Sequence, residues 1–191
     1  MTLRHLPATG YVTLPWKNGQ GVTDEICLWP ETGDRESFDL RISRATIAGE
    51  APFSAFPGVD RIITVIEGAG LRLEFADHAA DLAPRASYRF DSGLTPMGIP
   101  QGGPVRVLNV MVARAIWSLG TARLIGDAAS VRPVPGGFAV VFGLSGHCHL
   151  STGTDALDLM PGDTAITAID TICTLQSGAG ATLVVPVARA V

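Results

Sequence analysis

Charge is scarce in this chain. Only 17% of its residues are charged, 14 basic against 18 acidic, for a formal charge of −4. The basic residues are scattered, so no patch of one sign is offered to a polyanion and nucleic acid is excluded as an expected partner. Cysteine is also rare: Cys27, Cys148 and Cys173 lie far apart with no CxxC pair. That argues against a disulfide framework or a structural zinc site and fits a reducing compartment. No segment approaches the roughly 18 uninterrupted apolar residues of a membrane helix. The opening Met1-Thr2-Leu3-Arg4-His5-Leu6-Pro7 lacks the apolar run of a signal peptide. A cytoplasmic protein with no membrane contact is expected.

Turn formers, by contrast, are plentiful. Twenty-two glycines and 13 prolines divide the chain into short pieces, about 5–8 residues long, which is ordinary strand length. Helical periodicity over ten or more residues is scarce. Strands are predicted at 22–29, 38–48, 61–67, 70–75, 86–90, 105–113, 138–144, 148–151, 165–168 and 181–187, the pattern of an all-β sandwich or barrel. Residues 112–126 are the best candidate for a helix or irregular connector, 131–137 for a linker and Gly98–Gly103 for a turn. There is also an internal echo. Ile63–Gly70 (ITVIEGAG) matches Ala139–Gly146 (AVVFGLSG), and Asp81-Leu82-Ala83-Pro84 matches Asp158-Leu159-Met160-Pro161. Two hairpin units, each too small to bury a face alone, would pack together; chance likeness between hairpins is the alternative.

A strand, a glycine turn, a second strand and Leu-x-Pro-Gly-Asp, here Leu159-Met160-Pro161-Gly162-Asp163, resemble a cupin half-barrel. Residues 15–114 carry closer likenesses: Pro15-Trp16-Lys17-Asn18-Gly19-Gln20-Gly21-Val22-Thr23, Leu40-Arg41-Ile42-Ser43, Pro52-Phe53-Ser54-Ala55-Phe56-Pro57-Gly58-Val59-Asp60-Arg61 and Asn109-Val110-Met111-Val112-Ala113-Arg114. These blocks resemble the HutD/Ves family. The resemblance implies double-stranded β-helix (cupin) barrels, with two cupin-like halves in one chain. The motif-bearing barrel would occupy residues 1–115 and a smaller half residues 116–191. It further implies a bacterial bicupin, often a homodimer, some of whose members are linked to histidine utilisation through binding or sensing a pathway carboxylate. No enzymatic activity is established for the family. Two departures, Gln20 for glycine and Leu40 for an aromatic, bear on pocket shape only.

Metal-binding cupins converge imidazoles and a carboxylate on one ion. Counting from the turn glycine Gly68, the ligand positions fall on Ser54, Phe56, Arg61 and near Pro96; in the second half they fall on Arg132, Val134, Ala139 and near Cys173. Neither half keeps a ligand set, so no metal and no other cofactor is expected. His147-Cys148-His149 is a literal His-x-His, but it follows the turn glycine and sits on the wrong strand. Solvent-facing histidines are the expectation.

Arg61 is in phase with Ile63 and Val65 on a two-residue period. If those residues face the interior, so does the guanidinium, which then needs an anionic partner. That partner is either an internal carboxylate (Asp39, Glu67 or Glu25) or a ligand carboxylate gripped by two parallel hydrogen bonds. A surface position is the third option. Arg41 and Ser43 form the polar side of a strand that faces either solvent or a pocket. Asn109 and Met111 share a face suited to a small ligand, unless the asparagine merely bonds backbone. Trp16, Lys17 and Asn18 lie in a loop that either covers a pocket or anchors the N-terminal segment.

The candidate ligand-binding set is therefore Trp16, Lys17, Asn18, Arg41, Ser43, Phe53, Phe56, Arg61, Glu67, Asn109 and Met111, with a small anionic metabolite as partner. Catalytic residues are not assigned. The competing class is a metal-independent hydrolase or isomerase with Glu67 as general base. Against it, no nucleophile elbow or phosphate loop is present. A scaffold acting through dimerisation is the third class.

Overall fold

The computed structural model describes residues 2–16 and 21–191, and its regular structure is almost wholly β. In chain order the strands are β1 (Leu3–Leu6), β2 (Val12–Pro15), β3 (Gly21–Trp29), β4 (Leu40–Ile47), β5 (Ala51–Pro52), β6 (Val59–Glu67), β7 (Leu71–Glu74), β8 (Ala79–Leu82) and β9 (Ser87–Asp91). There follow β10 (Met97–Pro100), β11 (Val105–Ala113), β12 (Trp117–Leu119), β13 (Arg123–Ile125), β14 (Ala129–Val131), β15 (Phe138–Ser151), β16 (Ala156–Leu159), β17 (Thr164–Thr167) and β18 (Cys173–Arg189). No helix among the described residues is long and apolar enough to cross a membrane.

The strands gather into two compact units. The first is Val12–Ile116; the second joins Met1–Tyr11 to Trp117–Val191. In the first, a six-stranded antiparallel sheet runs β2-β3-β4-β11-β6-β9 and a four-stranded sheet runs β5-β10-β7-β8. Their alternating apolar residues meet in one core, where Ile63, Val65 and Val107 of the larger sheet pack with Leu71, Leu73 and Leu82 of the smaller. Each such side chain removed from water contributes about 1.5–3 kcal/mol.

In the second unit β15 and β18 form the spine of an eight-stranded sheet whose main path is β1-β17-β15-β18-β12. Its interior is filled by side chains such as Val141, Leu150, Leu159, Leu175 and Val184. The first strand belongs here and not with the residues that follow it, since Leu3–Leu6 pairs with β17. Asp163 fastens it: the carboxylate accepts from Ala8 N–H at 2.8 Å and Met160 N–H at 3.2 Å, and lies 3.0 Å from His5 Nε2. The Tyr11 hydroxyl completes the clasp, donating to the Gly162 carbonyl at 2.7 Å.

The same turn recurs in both units. Arg85, after Pro84, has φ +67°, and Gly162, after Pro161, has φ +92°. Arg85 N–H donates to Val65 C=O at 2.8 Å and Gly162 N–H to Gly143 C=O at 2.7 Å. In return Val65 N–H donates to Ala86 C=O at 3.1 Å and Gly143 N–H to Asp163 C=O at 3.0 Å. Val65 thus corresponds to Gly143, two residues beyond the Val141 that the sequence echo pairs with it. A two-residue shift leaves the strand face unchanged. Gly143 is required at that point, because a Cβ there would lie 2.6 Å from the Met160 carbonyl oxygen.

Three local expectations are corrected. Residues 112–126 hold no helix: β12 and β13 both pair with β18, a long apolar strand more than 50 residues away that supplies their hydrogen bonds. The segments expected separately at 138–144 and 148–151 are one strand, β15, which absorbs its glycines through register shifts at Gly143/Ser145 and Ser145/His147. In Gly98–Gly103, the first three residues extend β10 beside β7 and only Gln101–Gly103 bends.

Candidate functional site: an arginine-centred cavity

Antiparallel register sets the side chains of the six-stranded sheet in cross-strand rows. One row runs Ala45, Val107, Val65; the next runs Glu25, Ser43, Asn109, Ile63; the third runs Arg41, Met111, Arg61, Phe90. All share a face, because directly opposed residues point the same way and alternate residues repeat it. This face is apolar where it meets the four-stranded sheet and becomes polar over the next two rows.

The polar end opens on a cavity of about 930 Å³. Arg41, Ser43, Asn109, Met111 and Arg61 line it from the sheet, Trp16 and Thr23 from the β2–β3 hairpin, and Phe53, Ser54 and Phe56 from the segment between β5 and β6. Arg35 and Glu36 contribute from the loop before Phe38. The Trp16 indole N–H donates to Thr23 Oγ1 at 2.8 Å, which fixes the ring against β3.

The two arginines of the third row are in opposite electrostatic states. Arg41 grips Glu25 with two hydrogen bonds, Nε to Oε1 and Nη2 to Oε2, both 2.9 Å. Arg35 adds a third contact to the same carboxylate at 3.2 Å. Arg61 is 4% exposed and, among the described residues, forms no ion pair; its buried Nε has no hydrogen-bond partner. What surrounds it is aromatic: the guanidinium carbon lies 5.2 Å from the Phe53 centroid, 5.4 Å from Phe90 and 5.7 Å from Phe56. Ring faces attract a cation but do not neutralise it. Burial, with Arg41 adding repulsion, pushes the Arg61 pKa down to about 9. Asn109 is equally buried at 4%, and its Oδ1 also lacks a partner among the described residues.

Of the predicted site residues, the structure brings Trp16, Arg41, Ser43, Phe53, Phe56, Arg61, Asn109 and Met111 to this one cavity. Lys17 and Asn18 lie outside the described residues. Glu67 is elsewhere: it is exposed and bonded to Arg106 at 2.9 Å. A register shift explains this. Val107 opposes Val65 but Arg106 opposes Glu67, so β6 carries an extra residue that turns Glu67 to the other face. Of the three internal partners considered for Arg61, Glu25 is engaged with Arg41 and Glu67 with Arg106, and Asp39 forms no ion pair with it. Sequence reasoning missed Thr23, Ser54, Arg35 and Glu36. The first two lie inside the family blocks, whereas the arginine and glutamate occupy a polar loop with no periodic signal.

Nor does the cavity suit a metal ion. The positions where a cupin would supply ligands, Ser54, Phe56 and Arg61, do line it, but a phenyl ring and a guanidinium have no lone pair to offer. Among the described residues no group of three or more His, Cys, Asp or Glu side chains is arranged to hold a metal. His147 and His149 are solvent-facing, with side chains 54% and 42% exposed, and lie 3.4 and 2.8 Å from one Asp158 oxygen.

Fold and cavity define an all-β protein of cupin-like architecture with a cationic, aromatic-walled pocket. A cupin 2 conserved barrel domain protein from Leptotrichia buccalis superposes with TM-score 0.57 at 10% identity, covering 92% of each chain. The profile of the HutD family matches residues 8–185, and the chain belongs to that family. It is 33% identical over 157 residues to an uncharacterised 21.2 kDa protein in the hutC 3′ region of Pseudomonas putida (78% of this chain, 77% of the relative). It is 49% identical over 59 residues to protein Ves of Citrobacter koseri (31% and 30%). Two solved structures at 24% identity share the fold. A conserved protein of unknown function from Pseudomonas aeruginosa PAO1 has TM-score 0.88 (98% and 100% covered), and HutD from Pseudomonas fluorescens SBW25 has 0.81 (98% of each).

Proposed function

We propose that this chain is a metal-independent binding protein for a small carboxylate metabolite, seated on Arg61. The observation that carries the reading is a guanidinium, 4% exposed, with no ion pair among the described residues, in a cavity of about 930 Å³. A buried charge without a partner is among the most unfavourable features a fold can retain. A carboxylate bound in two-pronged fashion would neutralise it in the geometry guanidinium favours. Arg61 and Phe56 occupy two of the cupin metal-ligand positions, so a fixed organic cation would take the role of the ion. With Glu67 turned away, the enzymatic alternative loses its proposed base.

The units are read as two cupin-like halves of a bicupin, an interpretation supported by the turn they share. The first half holds the site. The second, whose interior holds a cluster of apolar side chains, serves as its structural counterpart. HutD membership and the hutC-region relative support a place in the regulation of histidine utilisation, as a cytoplasmic metabolite-responsive modulator.

The test is a thermal-shift screen of metal-stripped protein against formate, urocanate, formylglutamate, glutamate and divalent metals. A ligand at 100 times its Kd stabilises the fold by about 2.7 kcal/mol. The expected result is a shift with a carboxylate that disappears in Arg61→Ala. A shift with metals alone refutes the reading.

A further inference from the structure

A two-pronged grip by Arg61 meets an obstacle in the structure. Where Arg41 holds Glu25 it uses one edge of the guanidinium, Nε together with Nη2. At Arg61 the corresponding edge is closed, because Nε is buried and the residue as a whole is 4% exposed. Three rings crowd it: Phe53, Phe90 and Phe56, at 5.2, 5.4 and 5.7 Å from the guanidinium carbon to the ring centroid. Two of them are fixed. Phe90 opposes Arg61 on the neighbouring strand and lies buried in the larger apolar cluster of its unit. Phe53 packs on that cluster, edge-on to Phe90, with its ring so close to Gly98 that a Cβ there would lie 2.6 Å away. Phe56 is held less firmly. It is half-buried between the exposed Ala55 and Pro57 and leans on the small cluster of Phe38, Val59 and Met111. Its backbone is tied, since its N–H donates to Ser92 C=O at 3.0 Å and its C=O accepts from Val59 N–H at 3.2 Å. Movement there is thus confined to the side chain. The ring also has a second cation in reach, the Arg41 guanidinium, 5.6 Å from its centroid.

We infer that Phe56 is a gate over Arg61: its ring holds the guanidinium until a carboxylate displaces it, then turns aside to uncover the edge that the carboxylate takes. The inference rests on the reading of Arg61 as the carboxylate anchor. A ring face attracts a cation, so the closed arrangement competes directly with the ligand. Apparent affinity falls by the fraction of molecules in which the gate stands open. Phe56 therefore weakens binding, whereas a residue that merely walled the cavity would strengthen it.

The experiment uses the whole chain and formate, a carboxylate too small to need the ring as a wall, titrated by NMR. Phe56→Leu and Phe56→Ala are expected to bind formate about two- to fivefold more tightly than the parent, and Phe53→Leu no more tightly. In the parent itself, nuclear Overhauser contacts between the Phe56 ring and the Arg61 side chain are expected to vanish at saturation while those from Phe90 persist. Contacts from Phe56 that survive saturation overturn the gate and leave the carboxylate site intact. So does an affinity that is equal or lower in whichever Phe56 variant melts like the parent, or a gain of the same size in Phe53→Leu. Failure of formate to saturate the parent, or unchanged binding in Arg61→Ala, overturns the carboxylate site itself.

Discussion

If Arg61 is held for a ligand and not for the fold, removing it should make the ligand-free protein more stable. The relevant change is Arg61→Met, which keeps a long flexible chain of similar reach and deletes the charge. Its magnitude follows from the surroundings of the guanidinium. Burial and the nearby Arg41 lower its pKa to about 9, equivalent to roughly 4–5 kcal/mol set against the charged form. The three phenyl rings return part of this, about 2 kcal/mol for a desolvated cation over aromatic faces. The net gain expected of Arg61→Met is therefore about 2–3 kcal/mol, or roughly 5–10 °C in Tm for a chain of this length. The assay is calorimetry on exhaustively dialysed protein. The pH dependence supplies a second signature. Above about pH 9 the folded guanidinium begins to release its proton while the unfolded one keeps it. The unfolded state then binds more protons, so the parent gains stability as pH rises and the gap to the variant narrows. A variant that melts below its parent near neutral pH refutes the reasoning, because it means that Arg61 holds a stabilising partner within the protein.

Other expectations follow from neighbouring contacts. Glu25→Gln weakens the two-pronged bond to Arg41 and leaves that half-buried cation without its counter-charge; a loss of about 2–4 kcal/mol is expected in urea unfolding. Gly98→Ala places a Cβ 2.6 Å from Phe53 Cε2 and pushes the ring off its position beside Arg61. Weaker carboxylate binding is expected, with a stability loss of about 1–2 kcal/mol, checked by titration and melting together. Asp163→Ala releases the clasp on the first strand. Amide hydrogen exchange at Leu3–Ala8 should accelerate and stability fall by about 2–3 kcal/mol.

The strand framework and the phase of Arg61 were legible in the sequence because a half-buried strand writes its face into every second residue. Arg61, Ile63 and Val65 obey that rule. Glu67 obeys it on paper and breaks it in the structure, since nothing in the local sequence announces the extra residue that turns the strand at its end. Pairing at long range was equally silent. Residues 117–125 look irregular when read locally, and become strands only because β18 supplies hydrogen bonds from far along the chain. Which carboxylate would meet which arginine also lay beyond the sequence. Glu25 was a candidate for Arg61, but the register sets Glu25 opposite Ser43, one row from Arg41 on the adjacent strand. Arg61 lies two strands farther across the sheet.

The pairing of β1 with β17 has a consequence for how the chain is made. Leu3–Leu6 is made before either unit is complete, and its partner Thr164–Thr167 follows some 160 residues later. Meanwhile the whole of Val12–Ile116, with its own core and both of its sheets, has been synthesised. Nascent chains fold unit by unit as they emerge, so the unit that holds the cavity can form while Leu3–Leu6 still waits unpaired. The unit that encloses it in sequence can close only after Thr164–Thr167 has been made.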